Sequence, residues 1–452
     1  MQQATSAPSV KRGYRYRIYP TADQVAYLAT NFGCARYVYN TLLAAANASY
    51  HDYTASAEAY RAEQTALLLA SGIDELEVPK VILAYQAPRP STHTHYFANQ
   101  IAQLRRCSDT PWLAEASAVA LVQSARNLGA AYSGYFQRIK AAKSAQAKKL
   151  AMQSGPKFHR KHGKQSIRLP SGEFSLIGSD ANLALKLPKS PGAIHVIWSR
   201  PLPSSPSQVT ITKTPSGQYY ATFLCTRPLK PTNGQGIIGI DLGLKTLAAI
   251  SGTEDTIVVN VKHLKASAAR LAILQRKLSR CQLGSNRYTR QRSRVAKLHQ
   301  HISNQRNYYL HLWTTKLISE NKAICLESLS VQDMIMADVP NLAIQVADAS
   351  WSRIRQMLQY KAEDTGYVAI IIAPDYWPST QLCNLCNTKA SPGIKLGVSS
   401  WTCRKCNTVH DRDINAARNL RNLAYQAQPL WSLHPGSTTK LQLTSGSYLA
   451  AG

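Results

Sequence analysis

The sequence predicts an α/β fold combined with all-β and helical modules, and three observations carry that expectation. Between Gly236 and Leu326, short apolar strands that end in acidic residues enclose two long basic helices, the pattern of an α/β layer. Between Ile167 and Arg227, short branched or aromatic runs alternate with Pro/Ser/Gly clusters, the pattern of a small β-module. The residues before Gly155 read mostly as helices. A length of 452 residues corresponds to about three domains at ~150 residues each. The 44% hydrophobic content is that of a chain with packed cores.

Taken in order, Gly13 to Pro20 (GYRYRIYP) alternates as a strand, and Thr21 caps a helix through Ala22 to Asn31. A second helix is expected over Ala35 to Ala46, a loop over Pro79 to Pro90, and a helix with a cationic C-terminal half over Trp112 to Ala147. The isolated first strand is expected to pair into the later β-module, which makes the helical segment an insertion. Strands are expected at Ile194 to Trp198, Gln208 to Lys213 and Tyr219 to Thr226. Next come the strands Gly236 to Ile240, Leu244 to Ser251 and Thr256 to Lys262, helices over His263 to Arg280 and Thr289 to Ser319, and a buried strand Ala323 to Leu326. That is the strand order of a ribonuclease-H-like half. No apolar run approaches the roughly 18 residues of a membrane helix, so no membrane partner is expected. The first ten residues lack an apolar signal core, which points to a cytoplasmic protein.

Lys and Arg number 53 against 24 Asp and Glu, a net charge of +29, and the excess is clustered. Ala116 to Gly172 contains no acid and includes Lys157, Arg160 and Lys161. Thr256 to Ser319 contains none either, and carries Arg276, Lys277, Arg280, Arg290, Arg292 and Arg294. A salt-bridged helix would interleave acids with these cations, so both stretches are expected to face phosphates. Tyr308 and Trp313, on the second basic helix, are expected to pack into a core.

Asp241 follows the apolar run GIIGI, where an uncompensated carboxylate would cost several kcal/mol to bury. Glu327 closes the apolar run AICL in the same way, and a third carboxylate lies in His410 to Asn419 (HDRDINAARN). Three acids from distant segments of an acid-poor chain suit hard divalent cations, one activating water and one stabilising a leaving oxygen in phosphodiester cleavage. Cys383-x2-Cys386, sixteen residues, then Cys403-x2-Cys406 has the spacing of a tetrahedral Zn2+ site. Asn387 and Asn407 follow the second cysteine of each pair, where a residue tolerant of positive φ is wanted. The other five cysteines, Cys34, Cys107, Cys225, Cys281 and Cys325, read as small core residues.

GIIGIDLGLKTLAAIS, LAILQRKLSR, ISNQRNYYLHLWTTKLI, AICLESLSV, STQLCNLC, WTCRKC and HDRDINAARNL, in this order, resemble the transposon-encoded TnpB nucleases and the compact type V CRISPR effectors. YRIYPTADQ, FGCARYVYN and GPKFHRKHGKQSIRL resemble the early signatures of the same family. The resemblance implies a RuvC-like ribonuclease-H fold interrupted by a zinc ribbon, preceded by a wedge β-barrel with a helical recognition insertion. It implies the layout 1–20 first barrel strand, 21–155 recognition domain, 156–232 remaining barrel, 233–378 nuclease core, 379–409 zinc ribbon and 410–425 final nuclease helix; residues 426–452, with turn residues and little charge, are expected to be an unstructured tail. It implies a guide RNA, target DNA cut beside a short flanking motif, and Mg2+ (or Mn2+) held by Asp241, Glu327 and Asp413. Asp411 is the rival for the third place. One copy or two are expected on each RNA. The alternatives are a catalytically silent RNA-guided DNA-binding regulator and a strand-transfer enzyme that works without RNA.

Overall fold

The computed structural model describes residues 8–74, 86–142, 145–178, 183–328, 346, 349–395, 397–433, 435–444 and 447–451. Its chain forms two compact units, Lys11–Thr226 and Arg227–Gly452 with the segment before Lys11. Among the described residues, no helix is long and apolar enough to cross a membrane.

In the first unit, strand β1 (Ser9–Tyr19) turns its even-numbered side chains inward, and Tyr16 and Ile18 are buried. Thr21 then caps helix α1 as expected, its hydroxyl accepting from the Gln24 amide while the Gln24 side chain accepts from the Thr21 N–H, a reciprocal capping box. The two expected helices are a single one, α1 (Ala22–Ala70). Gly33 costs a helix interior only about 1 kcal/mol, and neither Gly nor Pro follows until Gly72. Only the part up to Ala46 buries side chains. It packs on α2 (Thr94–Arg106) and α3 (Ala118–Ala141) around Val38, Leu43, Phe97, Leu121 and Leu128. The expected Trp112 to Ala147 helix is divided, because Pro111–Ala114 form a 3-10 turn and Ser117 caps α3 anew; α4 covers Ala145–Gln153. Of the expected loop Pro79 to Pro90, the part up to residue 85 lies outside the described residues.

Six further strands complete a seven-stranded sheet: β2 (Gln165–Pro170), β3 (Ser175–Ile177), β4 (Ala184–Lys186), β5 (Ile194–Ile197), β6 (Gln208–Lys213) and β7 (Tyr219–Pro228). Their order is β2-β6-β7-β1-β5-β4-β3. β1 lies in the middle of it, with Ile18 opposite Val196, so α1 to α4 are an insertion between the first and second strands of one sheet.

The second unit is built on β8 (Gly236–Leu242), β9 (Thr246–Ser251), β10 (Asp255–Val259), β11 (Asn321–Leu326), β12 (Ala369–Ile372), β15 (Thr438–Thr444) and β16 (Ser447–Ala451), ordered β10-β9-β8-β11-β12-β15-β16. β11 runs parallel to both β8 and β12. Between β10 and β11 stand the basic helices α5 (His263–Ser279) and α6 (Asn286–Glu320). One sheet face, with Ile238, Ile240 and Ile324, packs on α6 and on α7 (Trp351–Thr365) through Leu310, Ile354 and Leu358. The other face, with Ile237, Cys325 and Ile371, packs on α8 (Arg412–Gln426) through Leu420 and Leu423. Before α8 come β13 (Ser400–Thr402) and β14 (Val409–Asp411), an antiparallel pair.

The expected unstructured tail contains ordered elements. α9 (Gln428–Trp431) buries Trp431, and β15 runs parallel to β12 with Leu441 buried. Trp313 packs against the core as expected, whereas Tyr308 is 69% exposed, because the two positions are not on the same face of α6. Cys34, Cys225 and Cys325 are core residues, Cys107 is exposed and Cys281 is half-buried.

Gly239 sets how closely α8 approaches the sheet, since a methyl group there would overlap the Ala417 carbonyl oxygen and the Arg421 amide nitrogen. Ala416 and Ala417 are fully buried at the same crossing. Gly239→Ala is expected to destabilise this unit by about 3 kcal/mol, read from the denaturant midpoint, with the other unit unchanged.

Candidate functional site

Asp241 lies on the α8 face of β8, alternating with Ile240 and Leu242 on the opposite face. Ile240 pairs with Leu326 in the parallel β8/β11 ladder, so the next residues, Asp241 and Glu327, leave adjacent strand ends side by side, about 4.8 Å apart along the hydrogen-bonding direction. Helix α8 crosses at Gly239, two residues before Asp241, and Asp413 is one helical turn before Ala417. Three distant segments thus deliver their acids to the carboxyl ends of the two central strands β8 and β11.

The electrostatics reflect that convergence. Asp241 is 7% exposed, and its proton affinity stands well above the ordinary aspartate value, chiefly from burial, then from the fields of Glu327 and Asp413, against a smaller opposing influence of Arg412. Glu327 is half-buried by area, but its carboxyl group is shielded, and its pKa is raised by that desolvation; a hydrogen bond from the Ser379 hydroxyl opposes the rise, and Asp413 adds to it. Asp411 and Asp413 divide their roles. Asp411 is the N-cap of α8, its Oδ1 accepting from the amides of Asp413 (3.0 Å) and Ile414 (2.9 Å). Asp413 receives Nε and Nη2 of Arg412 on Oδ1 at 3.0 and 2.9 Å. Two carboxylates that resist ionisation, Asp241 and Glu327, beside a third match what a hard divalent cation neutralises.

The four cysteines gather more tightly, with all four sulfurs within 4.8 Å of one another. Cys383 and Cys406 are 3.6 Å apart and Cys386 and Cys403 3.5 Å, near the edge of about 3.8 Å implied by a tetrahedral site with Zn–S of ~2.3 Å. Among the described residues they are the one group of three or more ligating side chains drawn together to that degree; the three carboxylates are not closed so far. The two Cys-x2-Cys loops repeat one geometry. Asn387 and Asn407 stand at φ 55° and 56°, as expected, and each donates its amide back to the first cysteine's carbonyl, at 2.9 and 2.8 Å. Hydrogen bonds from Thr388 lower the Cys386 pKa to about 6, which favours the ligating thiolate, while burial pushes Cys383 up to about 12.

Several residues joining the two centres were missed from sequence. His410 Nε2 lies 3.1 Å from Cys383 Sγ, and its ring packs on Trp401 at 4.9 Å. Asn415 and Asn419, one turn apart on α8 and buried, both donate to the Leu382 carbonyl, at 2.6 and 2.7 Å, and Asn415 Oδ1 accepts from the Asn384 amide at 3.0 Å. Their roles depend on burial that only the fold creates.

Of the basic residues singled out, Arg276, Lys277, Arg280, Arg290 and Arg294 are exposed on the α5/α6 hairpin, and Arg292 is half-buried 5.8 Å from the Tyr288 ring. Lys157, Arg160 and Lys161 belong to the other unit. They are exposed on a loop that Asn40 fastens by paired hydrogen bonds to the His159 backbone, at 2.8 and 3.0 Å, while His159 stacks on Tyr39.

A family model described as "Probable transposase" matches residues 218–338, "Cas12f1-like, TNB domain" matches 351–420 and "Helix-turn-helix domain" matches 9–53. The last span is occupied here by β1 and the start of α1. The chain is 31% identical over 416 residues to a Streptomyces pristinaespiralis protein named "Putative RNA-guided DNA endonuclease", covering 91% of this chain and 89% of that one. It is 26% identical to InsQ of Escherichia coli K12, which carries the same descriptive name, over 72% of this chain and 78% of the relative. Among solved structures, a Cas12f1–sgRNA–target DNA complex matches at 14% identity and TM-score 0.31, over 91% of this chain and 99% of that chain. CasPhi-2 bound to crRNA matches at 9% and 0.38, over 92% and 98%. Scores that low do not establish a shared fold.

Proposed function

The chain belongs to the TnpB-like family of RNA-guided DNA endonucleases, and from that membership we propose that it is itself an RNA-guided DNA endonuclease, cutting target DNA beside a short flanking motif. The observation that carries the proposal is the mutual influence of Asp241, Glu327 and Asp413 at the carboxyl ends of β8 and β11, each acid drawn from a separate segment. The strand order around β8 supports a ribonuclease-H-like, RuvC-like nuclease core at 233–378 and 410–425, with a zinc ribbon at 379–409. Residues 1–20 and 156–232 form the wedge barrel and 21–155 the recognition insertion.

Asp241, Glu327 and Asp413 would hold Mg2+ or Mn2+, which when bound activates water and stabilises the leaving oxygen of the cut phosphodiester. Asp241 and Glu327 set two ligand positions from rigid strand ends, and Asp413 adds a third from the first turn of α8. Cys383, Cys386, Cys403 and Cys406 would hold Zn2+, which fixes the loops that α8 rests on. The guide RNA pairs with the target strand and reads its sequence, while the protein grips backbones. Asp411 caps α8 through Oδ1, and Asp413 is the third ligand of this proposal.

The test is cleavage of DNA by the chain purified with its RNA. Cutting of a matched target in Mg2+, and of a new target after the guide is exchanged, is expected. Unchanged cutting after ribonuclease treatment would overturn the RNA-guided reading.

The acid-free α5/α6 hairpin grips phosphates. Replacing Arg290, Arg292 and Arg294 with Ala is expected to flatten the plot of log affinity against log salt by about 2 to 3, at ~0.9 per lost phosphate contact. The check is binding to matched DNA across a salt series.

A further inference from the structure

Glu327 follows the last residue of β11, yet its carboxylate is not left to solvent. The Ser379 hydroxyl donates to Glu327 Oε1. Ser379 is 2% exposed, and its backbone is held from two sides: its amide donates to the Trp377 carbonyl at 2.8 Å, and its carbonyl accepts from Asn419 Nδ2 at 2.8 Å. The same Asn419 amide group donates to Leu382 O, immediately before Cys383. One buried α8 side chain therefore fixes both the first cysteine loop and the hydroxyl that meets Glu327.

We propose that Ser379, held in place by Asn419, is a positioning residue that orients the Glu327 carboxylate for the divalent cation. The inference rests on the reading of Asp241, Glu327 and Asp413 as the cation site and adds a residue to it. Two features make this a positioning role. A hydroxyl donating to one carboxylate oxygen leaves the other free to ligate, and it fixes the rotation of the carboxyl plane. A long, flexible Glu side chain at a strand end otherwise samples several rotamers, each of which must be given up when a cation binds. Hydrogen-bond partners of ligating carboxylates are worth about 10- to 100-fold in metal affinity. The arrangement also makes the cysteine loops part of the cation site's scaffold, because Ser379 stands on the segment that leads into them.

The experiment titrates Mn2+ into the full-length, zinc-loaded chain without RNA, with free Mn2+ followed by electron paramagnetic resonance, in the parent, Ser379→Ala, Ser379→Cys and Asp241→Ala. Ser379→Ala is expected to weaken Mn2+ binding about tenfold with zinc content and melting temperature unchanged. Ser379→Cys keeps nearly the same shape but replaces O–H with a weak S–H donor, and is expected to behave like Ser379→Ala. Parent-like Mn2+ affinity in Ser379→Cys would show that the side chain acts by filling space, and would overturn the proposal. Parent-like affinity in Ser379→Ala would also overturn it; if Asp241→Ala still lost Mn2+ binding, the carboxylate site itself would stand. Parent-like binding by Asp241→Ala would remove both.

Discussion

Asp241→Ala is expected to leave binding of guide RNA and matched DNA within about twofold of the parent while lowering the cleavage rate by at least ~10³-fold. The factor corresponds to the ~4 kcal/mol or more that metal-held charge stabilisation supplies at a phosphodiester. Asp241 is the most enclosed of the three acids, and both Glu327 and Asp413 act on it, so its loss removes the centre of the cluster and not a peripheral ligand. Single-turnover cleavage with saturating complex separates the rate from binding; a loss of less than tenfold would show that the carboxylate does not hold the reacting cation.

The same residue has a signature in stability. Without magnesium the folded chain holds the Asp241 proton more tightly than the unfolded chain does, because burial and two neighbouring carboxylates disfavour ionisation. Across the window from the ordinary aspartate range up to the raised folded value, the folded state carries the extra proton, so stability falls as pH rises. Asp241→Asn removes this titration. Its melting temperature in magnesium-free buffer is expected to gain on the parent as pH increases from 4 toward 7, with Mg2+ narrowing the gap by binding the ionised parent. A constant difference across that range would contradict the assignment of the shift to Asp241.

Loss of the cysteine centre is expected to have the second large effect. Cys403→Ser should take zinc from one ion per chain to under about a tenth, since structural Zn2+ sites contribute roughly 10–16 kcal/mol of apparent binding energy and lose most of it with one thiolate. The damage should not stop at the ribbon. Asn415 and Asn419 on α8 bond the backbone at Leu382, and the Asn384 amide bonds Asn415, so disorder in the first loop leaves buried amides on α8 without partners. Asp413 opens that helix. Cleavage is therefore expected to fall at least ~100-fold, while the Lys11–Thr226 unit keeps its own melting transition. Full zinc occupancy in the purified variant, measured by elemental analysis, would refute the four-cysteine site.

Some of this was legible in the sequence because local chemistry wrote it there. GIIGI before Asp241 and AICL before Glu327 mark strands buried on both faces, and the structure has them as β8 and β11. The paired Cys-x2-Cys spacing and the asparagines after each pair encode a loop with positive φ, which Asn387 and Asn407 adopt. The basic helices were located to within a few residues because apolar residues such as Leu264, Leu271, Leu274, Leu298 and Ile302 recur at helical spacing within them.

What was not legible depended on tertiary contacts. The gap expected between Asn31 and Ala35 is absent, because the alanine-rich sequence carries α1 without a break to Ala70. Among its described side chains β15 buries Leu441, and it derives its ladder from β12, so its own sequence reads as a turn-rich tail. Ser379, His410, Asn415 and Asn419 are ordinary polar residues until the fold brings α8 against the cysteine loops. The capping of α8 by Asp411 likewise became visible only in the fold.

The most direct measurement is anomalous diffraction from crystals of the chain with its RNA and DNA, grown with Mn2+ in place of Mg2+. A peak within about 2.2 Å of carboxylate oxygens from Asp241, Glu327 and Asp413 together is the expected result. Fully ordered carboxylates with no manganese among them, or a peak held by Asp411 in place of Asp413, would contradict it.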